Sequence, residues 1–224
     1  AFFHFTTLDN PYIPPHEVEE ARSQVDDLTF RQEYLAEYVD AADRPFLYSY
    51  DPKKHEIESF TPNVHLPIIV SFDFNKDPMT CVIGQSVDVR SLCIFDEIKI
   101  TNGSTPELCE MLEARYNKWL GQIYVTGDAS GKSRSPLVRG GVNHYIIIKK
   151  ALGIKDGQFW VRGANLSHIN SRVLCNSVLQ NANFTITKNC KEAIADCVYA
   201  SVDEEGELIK TVKDGKHFFD CTRY

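Results

Sequence analysis

No stretch of the 224-residue sequence approaches the ~20 consecutive apolar residues that a membrane-spanning helix needs. The amino-terminal AFFHFTTLDNP also lacks the basic and apolar regions of a secretory signal, so a cytosolic location is expected. The seven cysteines, at 81, 93, 109, 175, 190, 197 and 221, are odd in number and include no CxxC pair. That disfavours a disulfide framework and a zinc site, and predicts that most are buried small hydrophobes. Internal repeats and low-complexity tracts are missing too. GDASGKS looks like a phosphate loop, but only three residues separate Gly127 from Gly131, not the four of GxxxxGK[ST], which excludes an ATP site there.

Positive charge is also in short supply. A net charge of −7 argues against binding nucleic acid by brute electrostatics. Its distribution changes that view. Nine acids face only Arg22 and Arg31 between Glu17 and Asp43, and Asp9 lies upstream, which leaves residues 44–224 at about +1. That region can still touch DNA. With 43% hydrophobic and 25% charged residues the chain has an ordinary globular composition, long enough for one large domain or a domain with an appendage.

PPHEVEEARSQVDDLTFRQEYLAEYV, residues 14–39, reads as one helix opened by Pro14 and Pro15, with Phe30, Tyr34, Leu35 and Tyr38 at helical spacing. Its aromatics predict packing against the remainder of the chain. Residues 44–67 mix proline, charge and aromatics and read as a connector with short extended pieces. IIVSFDF, TCVIGQSV and SLCIFDEIKI then predict three strands joined as hairpins. STPE opens a helix over 104–120 with a capping box. A strand QIYVTGD, a glycine-rich loop, a helix over 142–152 and a strand at QFWVRG follow. LSHINSRVLCNSVLQNA predicts a helix, FTITKN an extended piece, and KEAIADCVYASV another helix. DEEGELIKTVKDGK has the composition of a hairpin or mobile loop, and HFFDCTRY is helical.

The apolar run LPIIVSFDF carries Asp73 near its end, where an ionised carboxylate needs a cation, donors or open water. Three antiparallel strands, a helix, and a fourth strand ending in an acid is the opening order of an RNase H-like α/β fold. In that order the fourth strand lies beside the first, ~4.8 Å away, and Asp73 and Asp128 become neighbours. Paired carboxylates repel unless a divalent ion sits between them, which suits two Mg²⁺ or Mn²⁺ ions with Asp220 as third acid. His217, one helical turn earlier, replaces or assists Asp220 as a ligand in the alternative arrangement. Each acid also has a plainer reading: Asp73 as a turn cap, Asp128 as a loop residue bonding its own backbone. Asp77 and Asp96 are weaker candidates, and Glu97 a supporting one. Small residues after Asp128 would let a DNA backbone approach. Lys132, Arg134 and Arg139, with Lys210, Lys213 and Lys216, are candidate DNA contacts, and the segment 203–216 that holds the last three is a candidate gate over the cleft.

Five segments, in this order, resemble one family, the large terminase subunit of tailed bacteriophages. FHFTTLDNPYIPPHEVEEARSQVDDLTFRQEYLAEYV is similar to the end of its ATPase domain, SFDFNKDPMTCVIGQ to the first nuclease motif and TGDASG to the second. NLSHINSRVLCNSVLQ with FTITKNCKEAIADCV resembles the intervening segments, and HFFDCTRY the last motif. The resemblance implies an RNase H-like nuclease with a mixed central sheet over residues 61–224, preceded over 1–60 by the tail of the ATPase domain and a linker. It implies Asp73, Asp128 and Asp220 as metal ligands of an endonuclease that cuts concatemeric double-stranded DNA in the host-cell cytoplasm. Expected partners are the ATPase motor domain, the small terminase subunit and the portal. The missing ATPase motifs and the start at Ala1 imply the nuclease region plus the last motor-domain helix. Two other readings stay open: a resolvase- or transposase-like enzyme of the same fold, and a non-catalytic docking module of the packaging motor.

Overall fold

The computed structural model describes residues 5–25, 27–37, 44–75, 77–133, 142–203, 205–209 and 216–224. Six strands form one sheet. They are β1 (Glu56–Ile57), β2 (Ile68–Asp73), β3 (Met79–Gln85), β4 (Ser91–Ile100), β5 (Ile123–Gly127) and β6 (Asn183–Thr187), in the order β1-β6-β4-β3-β2-β5. The β2–β3 and β3–β4 pairs are antiparallel, as the three hairpin-linked runs predict, whereas β2–β5, β4–β6 and β1–β6 are parallel. This is the mixed sheet of an RNase H-like fold.

The central strands are apolar throughout because both sheet faces are covered. Ile68, Val70 and Phe72 of β2, with Ile123 and Val125 of β5, pack under α4 (Thr105–Tyr116) and α5 (His144–Ala151). Burying a side chain the size of Phe72 contributes about 2–3 kcal/mol. On the opposite face Val82, Ile94, Phe184 and Ile186 pack with residues of α6 (His168–Asn181), α7 (Lys191–Tyr199) and α8 (His217–Arg223), and with Phe46. Six of the seven cysteines are buried, Cys175 is half-buried, and all seven are free thiols. Burial pushes up the thiol of Cys109, to about 12.

Polar side chains tie the helices to this frame. Ser104 and Glu107 close the expected capping box at α4, which ends at Tyr116 and passes into a 3-10 turn at Asn117–Trp119. Glu97 on β4 accepts the backbone N–H groups of Glu192 (3.0 Å) and Ala193 (2.8 Å), and so caps α7. Asp196 on α7 accepts those of Phe218 (3.0 Å) and Phe219 (3.2 Å), and so caps α8. A carboxylate at a helix start complements both the free N–H groups and the dipole.

Two expectations change, and a third falls largely outside the described residues. The amino-terminal helix is two helices, α1 (Pro15–Gln24) and α2 (Asp27–Glu33), because Val25 adopts an extended conformation (φ −117°, ψ 163°). The break allows Phe30 to be buried, stacked on Tyr34 at 5.1 Å and covered by the Arg22 guanidinium at 5.2 Å. Ser177 donates to the Gln24 carbonyl and links α1 to α6; Tyr38 lies outside the described residues. QFWVRG is not a full strand. It forms one parallel bridge, Val125 with Phe159, with the Trp160 N–H donating to the Val125 carbonyl (2.8 Å), and covers the outer edge of β5. The expected gating segment shows a bridge from Val202 to Leu208, and residues 204 and 210–215 lie outside the described residues.

The connector is anchored by His55, at the end of the short helix α3 (Pro52–His55). Its Nδ1 accepts the Asp51 N–H (2.8 Å), so the proton sits on Nε2, which faces the Leu179 carbonyl (3.1 Å). Burial lowers its pKa below 6.5, and the backbone bonds and Asp51 oppose that only in part. The folded protein binds this proton less readily than the unfolded chain. The His55 contribution to stability is therefore complete above pH 6.5 and lost as pH falls toward the lowered folded value. Urea midpoints for wild type should fall across that window with a His55 contribution of up to about 1.4 kcal/mol per pH unit, and His55→Gln should flatten the dependence.

Candidate active site

β2 and β5 run parallel with Phe72 opposite Gly127, so Asp73 and Asp128 follow at neighbouring strand ends. The Asp128 N–H donates to the Phe72 carbonyl (2.9 Å), carrying the ladder one step beyond the strand. Gly127 makes this approach possible. Its φ is +138°, and an added Cβ would lie 2.3 Å from the Phe72 oxygen and 2.7 Å from its nitrogen. Gly131 serves a different purpose from the one expected. A side chain there would strike the Phe74 and Tyr145 rings, so its smallness admits protein rather than an incoming backbone.

Asp73 is only 3% exposed and faces the side of the sheet that carries α8. Its Oδ2 is met by the Asn75 amide and, at 3.1 Å, by His217 Nδ1; Asn75 Nδ2 also lies 2.9 Å from that nitrogen. Asp128 is the register neighbour of Asp73 on β5's side of the pair. Its Oδ1 accepts from Ser130 N–H (2.8 Å) and Asn165 Nδ2 (2.7 Å), and its Oδ2 from the Ser130 hydroxyl. Burial raises the Asp128 pKa, but the Ser130 hydroxyl, the Asn165 amide, the Ser130 N–H and the Arg223 charge outweigh it and hold the carboxyl below the usual range. Asp128 is thus both a turn residue bonding its own backbone and a charged group at a strand end.

Of the two candidates on α8, His217 is the one in contact with Asp73. Asp220 accepts from Arg223 Nε at 2.8 Å in a pair whose side chains are 2% and 5% exposed. The Tyr224 phenol is pushed up by burial and then by Asp220, with Asp128 and Asp73 adding to it, which puts the ring within electrostatic reach of all three acids. The plainer acids have structural roles. Asp96 binds Arg115 and the Tyr116 hydroxyl, Asp77 accepts the Asn102 N–H, and Glu97 caps α7.

The basic candidates separate. Lys132 Nζ donates to the carbonyls of Val161 (2.9 Å) and Arg162 (2.8 Å). Lys216 is buried, with φ +54° and its Nζ 4.0 Å from Asp196, next to the start of α8. Arg134, Arg139, Lys210 and Lys213 lie outside the described residues. Asn75, Ser130, Asn165 and Tyr224 join the site without a sequence signal that selects them. The first three are short polar side chains adjoining an acid in sequence or space, a pattern too common to single them out, and Tyr224 is visible only as the neighbour of Arg223 in the last motif.

Two carboxylates and an imidazole on three elements are a donor set suited to a hard divalent cation. Among the described residues no three His, Cys, Asp or Glu side chains converge into a ready-made metal cage.

No family model matches the chain, and neither does any curated protein sequence. Solved structures do match. The large terminase of a thermophilic bacteriophage, in complex with ATP-gamma-S, is similar over 99% of this chain at 19% identity, with a TM-score of 0.71. The P22 large terminase nuclease domain is similar over 80% of this chain and 89% of its own length, at 15% identity and a TM-score of 0.59. The chain spans about half of the thermophilic phage terminase, 54% of its length. At these identities the likeness establishes a shared fold.

Two variants test the local geometry. Asp220→Ala strands a buried guanidinium and should cost about 3–5 kcal/mol by chemical denaturation, whereas His217→Ala should cost less than about 1 kcal/mol. Gly127→Ala should lower stability by about 2–4 kcal/mol, read the same way, because both its φ and its space are unavailable to alanine.

Proposed function

We propose that residues 61–224 are the nuclease domain of a viral DNA-packaging terminase and that residues 1–60 are the end and linker of its ATPase domain. The observation that carries this reading is the pairing of Asp73 and Asp128 on adjacent parallel strands, with His217 of α8 against Asp73, in a fold shared with a terminase nuclease domain. Asp73, Asp128 and His217 are the proposed metal-holding set. Asp220 is the proposed positioning residue that fixes Arg223 beside Asp128.

Two divalent ions, Mg²⁺ or Mn²⁺, would supply an activated water and a counter-charge for the leaving 3′ oxygen in phosphodiester hydrolysis. The chain's own residues perform the remaining tasks. Ser130 and Asn165 keep Asp128 ionised and aimed, Asn75 orients Asp73 against His217, and the buried face behind Asp73 limits water access. The substrate is concatemeric double-stranded DNA in the host cytoplasm, delivered by the ATPase motor with the small terminase subunit and the portal. Affinity of the isolated chain for DNA is weak, as its near-neutral nuclease region requires. No described helix is long and apolar enough to cross a membrane.

One observation favours the docking-module reading: Asn75, Asp73 and His217 are in hydrogen-bond contact with one another. Cleavage of supercoiled plasmid decides between them. Wild type should nick and linearise with Mn²⁺ or Mg²⁺ and be silent in EDTA. Asp73→Asn and Asp128→Asn should each lose more than the roughly 10–100-fold that removal of a mere supporting group costs. Folded wild type and variants that are equally inert, with no calorimetric Mn²⁺ binding, overturn the nuclease reading.

A further inference from the structure

The segment that covers the edge of β5 alternates strictly. Phe159 and Val161 are half-buried and packed on the core, whereas Trp160 and Arg162 point outward, as period-two geometry requires. Trp160 is 54% exposed, an unusual position for the larger of the two aromatic systems in its pair; its ring lies 4.4 Å from that of Tyr124 on β5. The Arg162 guanidinium has no hydrogen-bond or ion-pair partner among the described residues, although its backbone is held firmly. Lys132 Nζ clamps the carbonyls of both Val161 and Arg162. Arg162 lines a cleft of about 50 Å³ with Thr126, Gly127, Asn165, Arg223 and Tyr224. That cleft opens next to Asp128, since Asn165 Nδ2 donates to Asp128 Oδ1 and Asn165 Oδ1 accepts the Ala129 N–H (2.9 Å).

A flat aromatic face and an unpaired guanidinium on one rigid strip, continuous with a candidate nuclease centre, have the complement of a sugar-phosphate backbone. Arginine presents a planar fork to phosphate, and indole packs on sugars and bases without regard to sequence. We infer that Trp160 and Arg162 form a substrate track along the outer edge of β5, which holds the backbone of duplex DNA and leads it to Asp128. Lys132 acts in this track by positioning Arg162 rather than by touching phosphate. The inference rests on the nuclease reading for the identity of the ligand, but its geometry is independent of any metal.

The test is fluorescence anisotropy of the whole chain with a labelled DNA duplex at low salt in EDTA, where cutting is impossible. Arg162→Ala should weaken binding about 5-fold or more and reduce the slope of log K against log salt by about 1, the signature of one lost phosphate contact. Trp160→Ala should weaken binding with the slope unchanged, and Trp160→Phe should restore most of it. Circular dichroism and thermal melting show whether either variant has lost its fold, and Arg162→Lys, which cannot disturb packing, should fall between alanine and wild type. Variants that bind like wild type, or a wild type that binds no duplex at low salt, overturn the track. A wild type that binds through Arg162 and Trp160 yet neither cuts plasmid with metal nor binds Mn²⁺ by calorimetry would retain the track and discard the nuclease reading.

Discussion

The arrangement of the whole site depends on one contact between two backbones, where Gly127 lies against Phe72. Because Gly127 has no Cβ, β5 can approach β2 closely enough for the Asp128 N–H to reach the Phe72 carbonyl. That bond fixes the register in which two acids emerge side by side. A slip of one residue would send one carboxylate to the opposite face of the sheet, away from its neighbour. The apolar burial of Ile68, Val70, Phe72, Ile123 and Val125 supplies the stability that makes this register unique.

The third element reaches the site through a succession of buried or half-buried carboxylates. Glu97 fixes the start of α7 to β4, and Asp196 of α7 fixes the start of α8. His217 is the first residue of α8, so its position against Asp73 is inherited from the sheet in two steps, each a charge placed on free backbone N–H groups. The Asp220–Arg223 pair then holds the last turn of the same helix. Acids that look interchangeable in the sequence therefore differ in kind. Some secure helices, while Asp73 and Asp128 lie where the sheet leaves a carboxylate beside another carboxylate.

The sheet was legible because its signals are local: unbroken apolar runs, a capping box at Ser104 and the strand–acid pattern of QIYVTGD. The neighbourhood of Asp73 and Asp128 followed from topology once the strand order was recognised. The roles of His217 and Asp220 were not legible, since residues three apart on a helix share a face and only the packing of α8 on β2 and β3 decides which of them meets Asp73. Lys132 and Lys216 looked like solvent-facing phosphate contacts in a linear reading. Their bonds to Val161, Arg162 and Asp196 join segments 29, 30 and 20 residues away, and no local pattern encodes them. The break at Val25 was equally hidden, because the apolar spacing of residues 14–39 continues across it.

The strip from Gln158 to Trp160 has a consequence for how copies of this protein behave in a crowded solution. β5 is an outermost strand, and a bare outer strand offers its unsatisfied N–H and C=O groups to any passing chain. Here the Val125 carbonyl is already engaged by the Trp160 N–H, and Thr126 reaches the Trp160 and Tyr224 carbonyls. At the far side β1 is two residues long, too short to template a growing ladder. Among the described residues each margin of the sheet is thus shielded by a different device, a bonded strip along β5 and brevity at β1.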